Sequence, residues 1–462
     1  MAEKSAIPVE LGTEKIGRLL KQYALPAIIA QTASSLYNMV DSIFIGQGVG
    51  PLAISGLAVT FPLMNLSTAF GTLVGAGAAT MLSVLLGQKN YKAANKVLGN
   101  VVSLNVILGL LFMAVALIFI DPILYFFGAS ENTLPYAKEY IQIILYGNIV
   151  THLYFGLNAA MRSSGNPKKA MALTIFTVVF NTILDPIFIF VFDMGIAGAA
   201  WATVIAQTAA MIVVLKHFSD KSRAFHFEKG IFKLDPRVAK DSLVIGMGPF
   251  LMNAAACLVT LFITQQLRDY SGDLGIGSYG ICNRFIFMFI MICMGLNQGM
   301  QPIAGYNYGA KQYSRVKEVF WMTAKFGTIV TTICFCIGMF IPRLAAGIFT
   351  HDEALLNMSA EGMRILTIGF PIVGFQMIGT NFFQCLGMVK KSIILSLSRQ
   401  LLFLLPLLYC LPLWMGANGV WMSFPISDVQ SAILTAILLR RLFKKFNTLK
   451  DGEESTILGS NL

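Results

Sequence analysis

The sequence predicts an all-α polytopic membrane protein, with twelve transmembrane helices in two six-helix lobes related by a pseudo-two-fold axis along the membrane normal. Three observations carry this. Of 462 residues, 56% are hydrophobic and only 12% charged, about half the charge of a typical soluble chain. Apolar runs of about 20 residues, the length that crosses a bilayer, recur from end to end. The chain also repeats itself at an offset of 221 to 223 residues.

Taken in order, the spans fall at 20–45, 53–86, 98–120, 135–161, 170–192, 195–215, 242–267, 275–303, 319–341, 356–387, 392–413 and 417–439. The second, eighth and tenth are long and Gly-rich, and are expected to bend or to begin outside the bilayer. The start, MAEKSAIPVELGTEKIGRLLKQ, is polar and basic, so no cleaved leader is expected. Basic residues alternate across the loops: one side holds 27 of the 34 Lys and Arg, and the other only Lys138, Arg268 and Arg343. The positive-inside rule then puts both termini in the cytoplasm of a plasma-membrane protein. It also accounts for the net charge of +11, so no nucleic-acid partner is needed.

The repeat is local as well as global. LLGQKNYKAANKV (85–97) reads against NYGAKQYSRVKEV (307–319), GNPKKA (165–170) against GMVKKS (387–392), Pro26 against Pro249, and GIAG (195–198) against GANG (416–419). Each repeat holds six spans, so both halves insert the same way up. The expected organisation is an N-terminal lobe (1–215), a charged cytoplasmic linker (216–240), a C-terminal lobe (241–440) and a cytoplasmic tail (441–462).

Several chemistries find no support. There is no GxxxxGK[ST] loop for ATP, no HExxH, no GxSxG, and the four histidines are scattered. No enzyme activity is expected. The seven cysteines all fall in apolar segments without metal-binding spacing and read as small buried hydrophobes. No cofactor is implied. A transporter driven by an ion gradient remains.

Two intramembrane acids stand out. In the first span Gln31, Ser34, Ser35, Asn38, Asp41 and Ser42 share an arc of about 120°, with an apolar back opposite. In the fifth span Thr174, Thr177, Asn181 and Asp185 share about 80°. Asp41 lies 20 residues past Lys21 and Asp185 lies 16 past Lys169, about 30 and 24 Å by helical rise, so both belong to the outer half of the first lobe. A charged Asp at mid-span costs on the order of 3 kcal/mol. Two close carboxylates make a proton site, and with Asn and Thr oxygens the same group could hold Na⁺. The repeat partners of these acids are Thr264 and Leu407, so coupling is expected in the first lobe only. Arg399 and Asp428 in the second lobe read as a structural ion pair. Arg284, Glu361 and Arg364 lie toward outer helix ends and read as snorkelling or interfacial groups. The Phe- and Met-rich eighth span reads as packing or lipid contact.

The ALP opening of the first span with its outer Asp, GAGAAT in the second, NTILDPIFIF in the fifth, GIAGAAWAT in the sixth and the paired GQKNY/GAKQY loops resemble the multidrug and toxic compound extrusion (MATE) family. The likeness covers nearly the whole chain and is strongest to its DinF- and MepA-like branches. It implies a monomeric antiporter that exports small amphipathic, often cationic, compounds in exchange for H⁺ or Na⁺. It implies Asp41, Asp185, Asn181, Asn158 and Thr203 as the coupling network, Gln31, Tyr37, Asn38 and Gln207 as cavity residues, and Pro26 as a hinge. The chain departs from the NorM-like pattern, offering Gln265, Gln266, Gln376, Asn381 and Gln384 where that branch has second-lobe acids. Flippases for lipid-linked precursors, in the wider superfamily, are the alternative reading.

Overall fold

The computed structural model describes residues 8–453 except 224, 229 and 231; the side chains of Asn38, Met39, Pro51 and Asp273 lie outside the description. The chain is helices and short connections. The first lobe contains α1 (Ile16–Gly48), α2 (Pro51–Gly87), α3 (Tyr91–Ile118), α4 in two pieces (Leu134–Tyr146 and Asn148–Ser163), α5 (Pro167–Val191) and α6 (Gly195–Ser219). The second contains α7 (Pro236–Gly272), α8 (Leu274–Gly309), α9 (Tyr313–Phe340), α10 in two pieces (Glu353–Thr367 and Phe370–Cys385), α11 (Val389–Met415) and α12 (Ala417–Phe446). Among the described residues nine single helices are long and apolar enough to cross a membrane, and the α10 pair, bent by 55°, makes a tenth. The polar stripe dilutes α1, and the break shortens the pieces of α4. Six helices in each lobe answer the twelve runs in the sequence.

Of the three spans expected to bend or to begin outside the bilayer, the tenth is bent. The second and eighth spans are single helices, α2 and α8, of 37 and 36 residues. The fourth span is also broken, at Gly147, and the tenth near Gly369, its repeat partner 222 residues on. A Cβ on Gly147 would meet Val204 at 2.5 Å, and one on Gly369 would meet the Asp428 side chain at 3.0 Å. α6 runs on to Ser219 and α7 starts at Pro236, so the linker between helices is shorter than the expected 216–240. The repeat also reaches the backbone: Lys89 and Lys311 both adopt left-handed φ, 59° and 58°.

Contacts divide the chain into two compact units, one built on Ile29–Phe250 and one on Glu14–Ile28 with the chain from Leu251 on. The division cuts α1 between Ile28 and Ile29, and α7 between Phe250 and Leu251. Each cut falls within two residues of a repeat-related proline, Pro26 or Pro249. Small residues let backbones meet beside these cuts. In the second unit a Cβ on Gly299 would sit 2.4 Å from Ala24 Cα, and one on Gly295 2.5 Å from Ile28 Cα. In the first, a Cβ on Gly77 would sit 1.8 Å from the Ser242 carbonyl oxygen, and one on Gly246 1.8 Å from that of Leu73. Pro26 itself is buried within an unbroken α1.

Candidate functional site

The apolar back of α1 is exposed at Leu25, Ile29, Leu36 and Ile43, as a lipid-facing stripe requires. The opposite face turns Asp41 into the first lobe, 5% exposed. Asp185 on α5 is fully buried, Asn181 one turn before it is 2% exposed, and Thr203 on α6 is 7% exposed. Directly after Pro186 the α5 backbone widens into a π-helical turn, Ile187–Val191. Such turns recur beside functional groups because they re-aim neighbouring side chains.

These residues form a hydrogen-bonded chain. The Tyr37 hydroxyl lies 3.1 Å from Thr203 Oγ1. The Asn181 amide is oriented by its neighbours: its nitrogen donates to Asp185 Oδ2 at 3.0 Å, and its oxygen accepts from the Thr203 N–H at 2.9 Å and the Thr203 hydroxyl at 3.2 Å. Contact thus runs from Tyr37 through Thr203 and Asn181 to Asp185, with the Thr203 hydroxyl also 3.1 Å from the Ala199 carbonyl. Asp41 lies close enough to both Asp185 and Tyr37 to act on them electrostatically. Its Oδ1 is buried and has no hydrogen-bond partner among the described residues. A buried carboxylate oxygen without a donor is costly, and a cation or a proton is what would satisfy it.

Tyr140 on α4, 1% exposed, stands in the same electrostatic company of Asp41, Tyr37 and Asp185. It packs with Ile45, Ala53, Leu57, Ile143, Ile189, Ile196, Ala199 and Ala200 in an apolar cluster at this end of the lobe. Nothing in an aromatic residue within an apolar run marks such a role in advance.

Other expected residues lie apart. Asn158 donates to the Ala170 carbonyl at 3.1 Å. Ala170 is 15 residues before Asp185 on α5, about 22 Å along the helix. Asn158 is therefore not in the Asp185 group; it ties α4 to the far end of α5. Gln207 lies one turn along α6 from Thr203, half-buried, and accepts from Thr151 Oγ1 on α4. Gln31 is half-buried on the α1 stripe. The Asn38 side chain lies outside the described residues. In the second lobe Arg399 Nε donates to Asp428 Oδ1 at 2.8 Å, the ion pair the sequence suggests. Deeper in the first lobe, fully buried His152 lies 2.9 Å from the Ser67 carbonyl, and Asn148 donates to that of Gly109 at 3.1 Å.

The MatE family model matches this chain twice, over residues 26–187 and 249–410. This chain is a MATE-family transporter. The two matches begin at Pro26 and Pro249, in the register of the internal repeat. The MATE-family chain is 28% identical over 426 residues to the multidrug export protein MepA of Staphylococcus aureus, covering 92% of this chain and 94% of that protein. MepA of Staphylococcus haemolyticus is 26% identical over 427 residues, with the same coverage. Among solved structures, the MATE multidrug transporter DinF-BH, in complex with a small-molecule ligand, superposes with a TM-score of 0.89 and 36% identity, covering 97% of this chain and 100% of that one. An outward-facing multidrug resistance MATE transporter of the MOP superfamily shares the fold at a TM-score of 0.90 and 21% identity, over 97% and 100% of the two chains.

Proposed function

We propose that this chain exports small amphipathic, often cationic, compounds across the plasma membrane in exchange for H⁺ or Na⁺, with Asp41 and Asp185 as the coupling groups. The observation that carries this reading is the buried Oδ1 of Asp41, without a donor among the described residues, beside a second carboxylate already served by neutral donors. Binding of a cation there offsets the cost of keeping the pair in a low-dielectric interior. A proton needs only the free oxygen. Na⁺ would need further oxygens, and the amide oxygen of Asn181 is turned to Thr203, so the geometry favours H⁺. Multidrug export by MepA and the ligand complex of the multidrug transporter DinF-BH support the substrate class and weigh against a lipid-precursor flippase. The basic loops support cytoplasmic termini, and the single-lobe site supports a monomer. Pro26 is read as the point at which α1 yields when the cation binds.

The test uses everted vesicles energised by respiration and challenged with a cationic rhodamine dye under separate pH and Na⁺ gradients. Asp41→Asn and Asp185→Asn should each abolish dye-induced proton efflux at unchanged expression. Full coupling in both variants would overturn the assignment. Dye-induced Na⁺ efflux without proton efflux in the unmodified protein would move the coupling ion to Na⁺.

A further inference from the structure

A polar cleft outside the coupling site lies where α3 begins, walled by Lys92, Asn95 and Lys96 of α3 and by Glu228, Lys233 and Asp235 of the linker. The linker is pinned there. Asn100 Oδ1 accepts from the Asp235 N–H at 3.0 Å, Ser103 Oγ donates to the Phe232 carbonyl at 2.7 Å, and Lys96 lies 3.8 Å from the Asp235 carboxylate.

The cleft is bipolar. Lys92 and Lys233 have no ion-pair partner among the described residues, so the wall offers free ammonium groups. It also offers acceptors. Asn95, 6% exposed, donates its amide nitrogen to Glu228 Oε1 at 2.9 Å, and that contact fixes the amide orientation. Asn95 Oδ1 is then left buried with no donor among the described residues. A buried acceptor of this kind needs an N–H or O–H from a ligand or water. A simple anion would suit the lysines but meet Glu228 and the orphan oxygen. A simple cation would suit the acceptors but meet the lysines. A group carrying both an anion and an N–H-bearing cation a few ångströms apart suits both.

The setting names the source. Phe232 and Leu234, on either side of Lys233, are 50% and 42% exposed. They stand beside the first turns of a membrane-spanning helix, the level at which aromatic and aliphatic side chains enter the lipid boundary while lysines stay among headgroups. We propose that this cleft binds the headgroup of a phospholipid with a primary ammonium, of the phosphatidylethanolamine type. The phosphate pairs with Lys92 and Lys233, and the ammonium donates to Asn95 Oδ1 and Glu228.

Native mass spectrometry of the full-length protein, released from detergent with defined lipids, tests this. Dioleoyl-phosphatidylethanolamine should be retained about tenfold more tightly than dioleoyl-phosphatidylcholine, whose quaternary nitrogen has no N–H to give. Lys92→Ala with Lys233→Ala should lower retention about tenfold, and Glu228→Gln should shrink the ethanolamine-over-choline ratio. These are exposed positions, and thermal melting of the lipid-free variants checks that the fold is intact. Equal retention of the two lipids, or unchanged retention in the variants, would overturn the proposal. Tighter binding of dioleoyl-phosphatidylglycerol would reduce the cleft to a plain anion site. Full displacement of the lipid by millimolar phosphoethanolamine would assign it to a soluble ligand.

Discussion

Each lobe buries a carboxylate where its fifth and sixth helices meet, and the two lobes neutralise it differently. In the first lobe Asp185 receives the Asn181 amide, which is backed by Thr203 and Tyr37, all uncharged donors. In the second lobe Asp428, 3% exposed, receives the Arg399 guanidinium. By the 222-residue offset Arg399 stands at the place of Thr177 and Asp428 at that of Ala206. The pair therefore sits about one turn further from the connection between the two helices than the Asn181–Thr203 contact. Each lobe also opens a gap in its fourth helix, at Gly147 and near Gly369, and only the second lobe's gap faces its acid. A fixed guanidinium supplies its carboxylate with a permanent counter-charge. Neutral donors leave that place open for a cation that arrives and leaves. On the proposed reading, the same fold carries one lobe built to exchange a cation and one whose acid is permanently paired.

Breaking the permanent pair should give the largest effect. Arg399→Met leaves the Asp428 carboxylate, 3% exposed, buried and alone, and should cost about 3–5 kcal/mol of stability, read as a lowered melting temperature in detergent. The double variant Arg399→Met with Asp428→Leu should recover most of that loss and keep proton-coupled export. Loss of coupling in a stable double variant would show that the second lobe takes part in cation exchange after all.

The neutral chain should respond more gently. Thr203→Val removes the relay between Tyr37 and Asn181 and should cost about 1 kcal/mol, read as a several-fold drop in dye-induced proton efflux. Thr264→Val is the control. Thr264 stands at the repeat position of Asp41 and donates only to the Thr260 carbonyl, at 2.9 Å, so efflux should change little. Equal effects at the two threonines would erase the contrast between lobes.

The smallest effect concerns how each lobe closes its basic end. The first folds the linker onto the start of α3. The second folds the chain after α12 onto α9: Ser314 N–H donates to Asp451 at 3.0 Å and Tyr313 Oη to the Glu453 carbonyl at 3.0 Å. Partial burial pushes the Asp451 carboxyl up, but the Ser314 hydrogen bonds and the Lys317 charge together hold it below the usual 3.8. Because the folded value is depressed, this clamp is at full strength above pH 3.8 and loosens as pH falls through the lower folded value. Protection against hydrogen exchange at 447–453, corrected for the intrinsic pH dependence of exchange, should fall on acidification below that point and stay flat between about pH 5 and pH 8. A loss of that corrected protection near neutral pH would remove Asp451 as the clamp.

Much of this was legible in the sequence because periodicity in a membrane helix is a strong signal. Polar residues on one face of α1 and α5 must turn away from lipid, and they do so at Asp41, Asn181 and Asp185. The repeat was legible because it preserves loops such as GQKNY and GAKQY. Tyr140 was not, since an aromatic within an apolar run looks like core until packing brings it near Asp41. The bend of the Gly-rich tenth span was legible, but the break at Gly147 was hidden because a lone glycine in a helix is usually tolerated. Asn158 came from family likeness, and depth argues against it. It lies five residues before Ser163, the end of α4, whereas Asp185 lies far along α5. The membership of Glu14–Ile28 in the second unit depends on glycines more than 260 residues away, beyond any local pattern.

Those glycines set a rule for variation in this protein. At Gly77, Gly246, Gly295 and Gly299 the discriminating property is volume, and polarity hardly enters. One methyl group would press on main-chain atoms that no rotamer change can move aside. A family of variants sorted by fitness should therefore show its sharpest intolerance at four hydrogen-sized vacancies as well as at its acids. Because the duplicated halves place Gly77 and Gly299 in the same register, that pair of vacancies offers its own internal comparison.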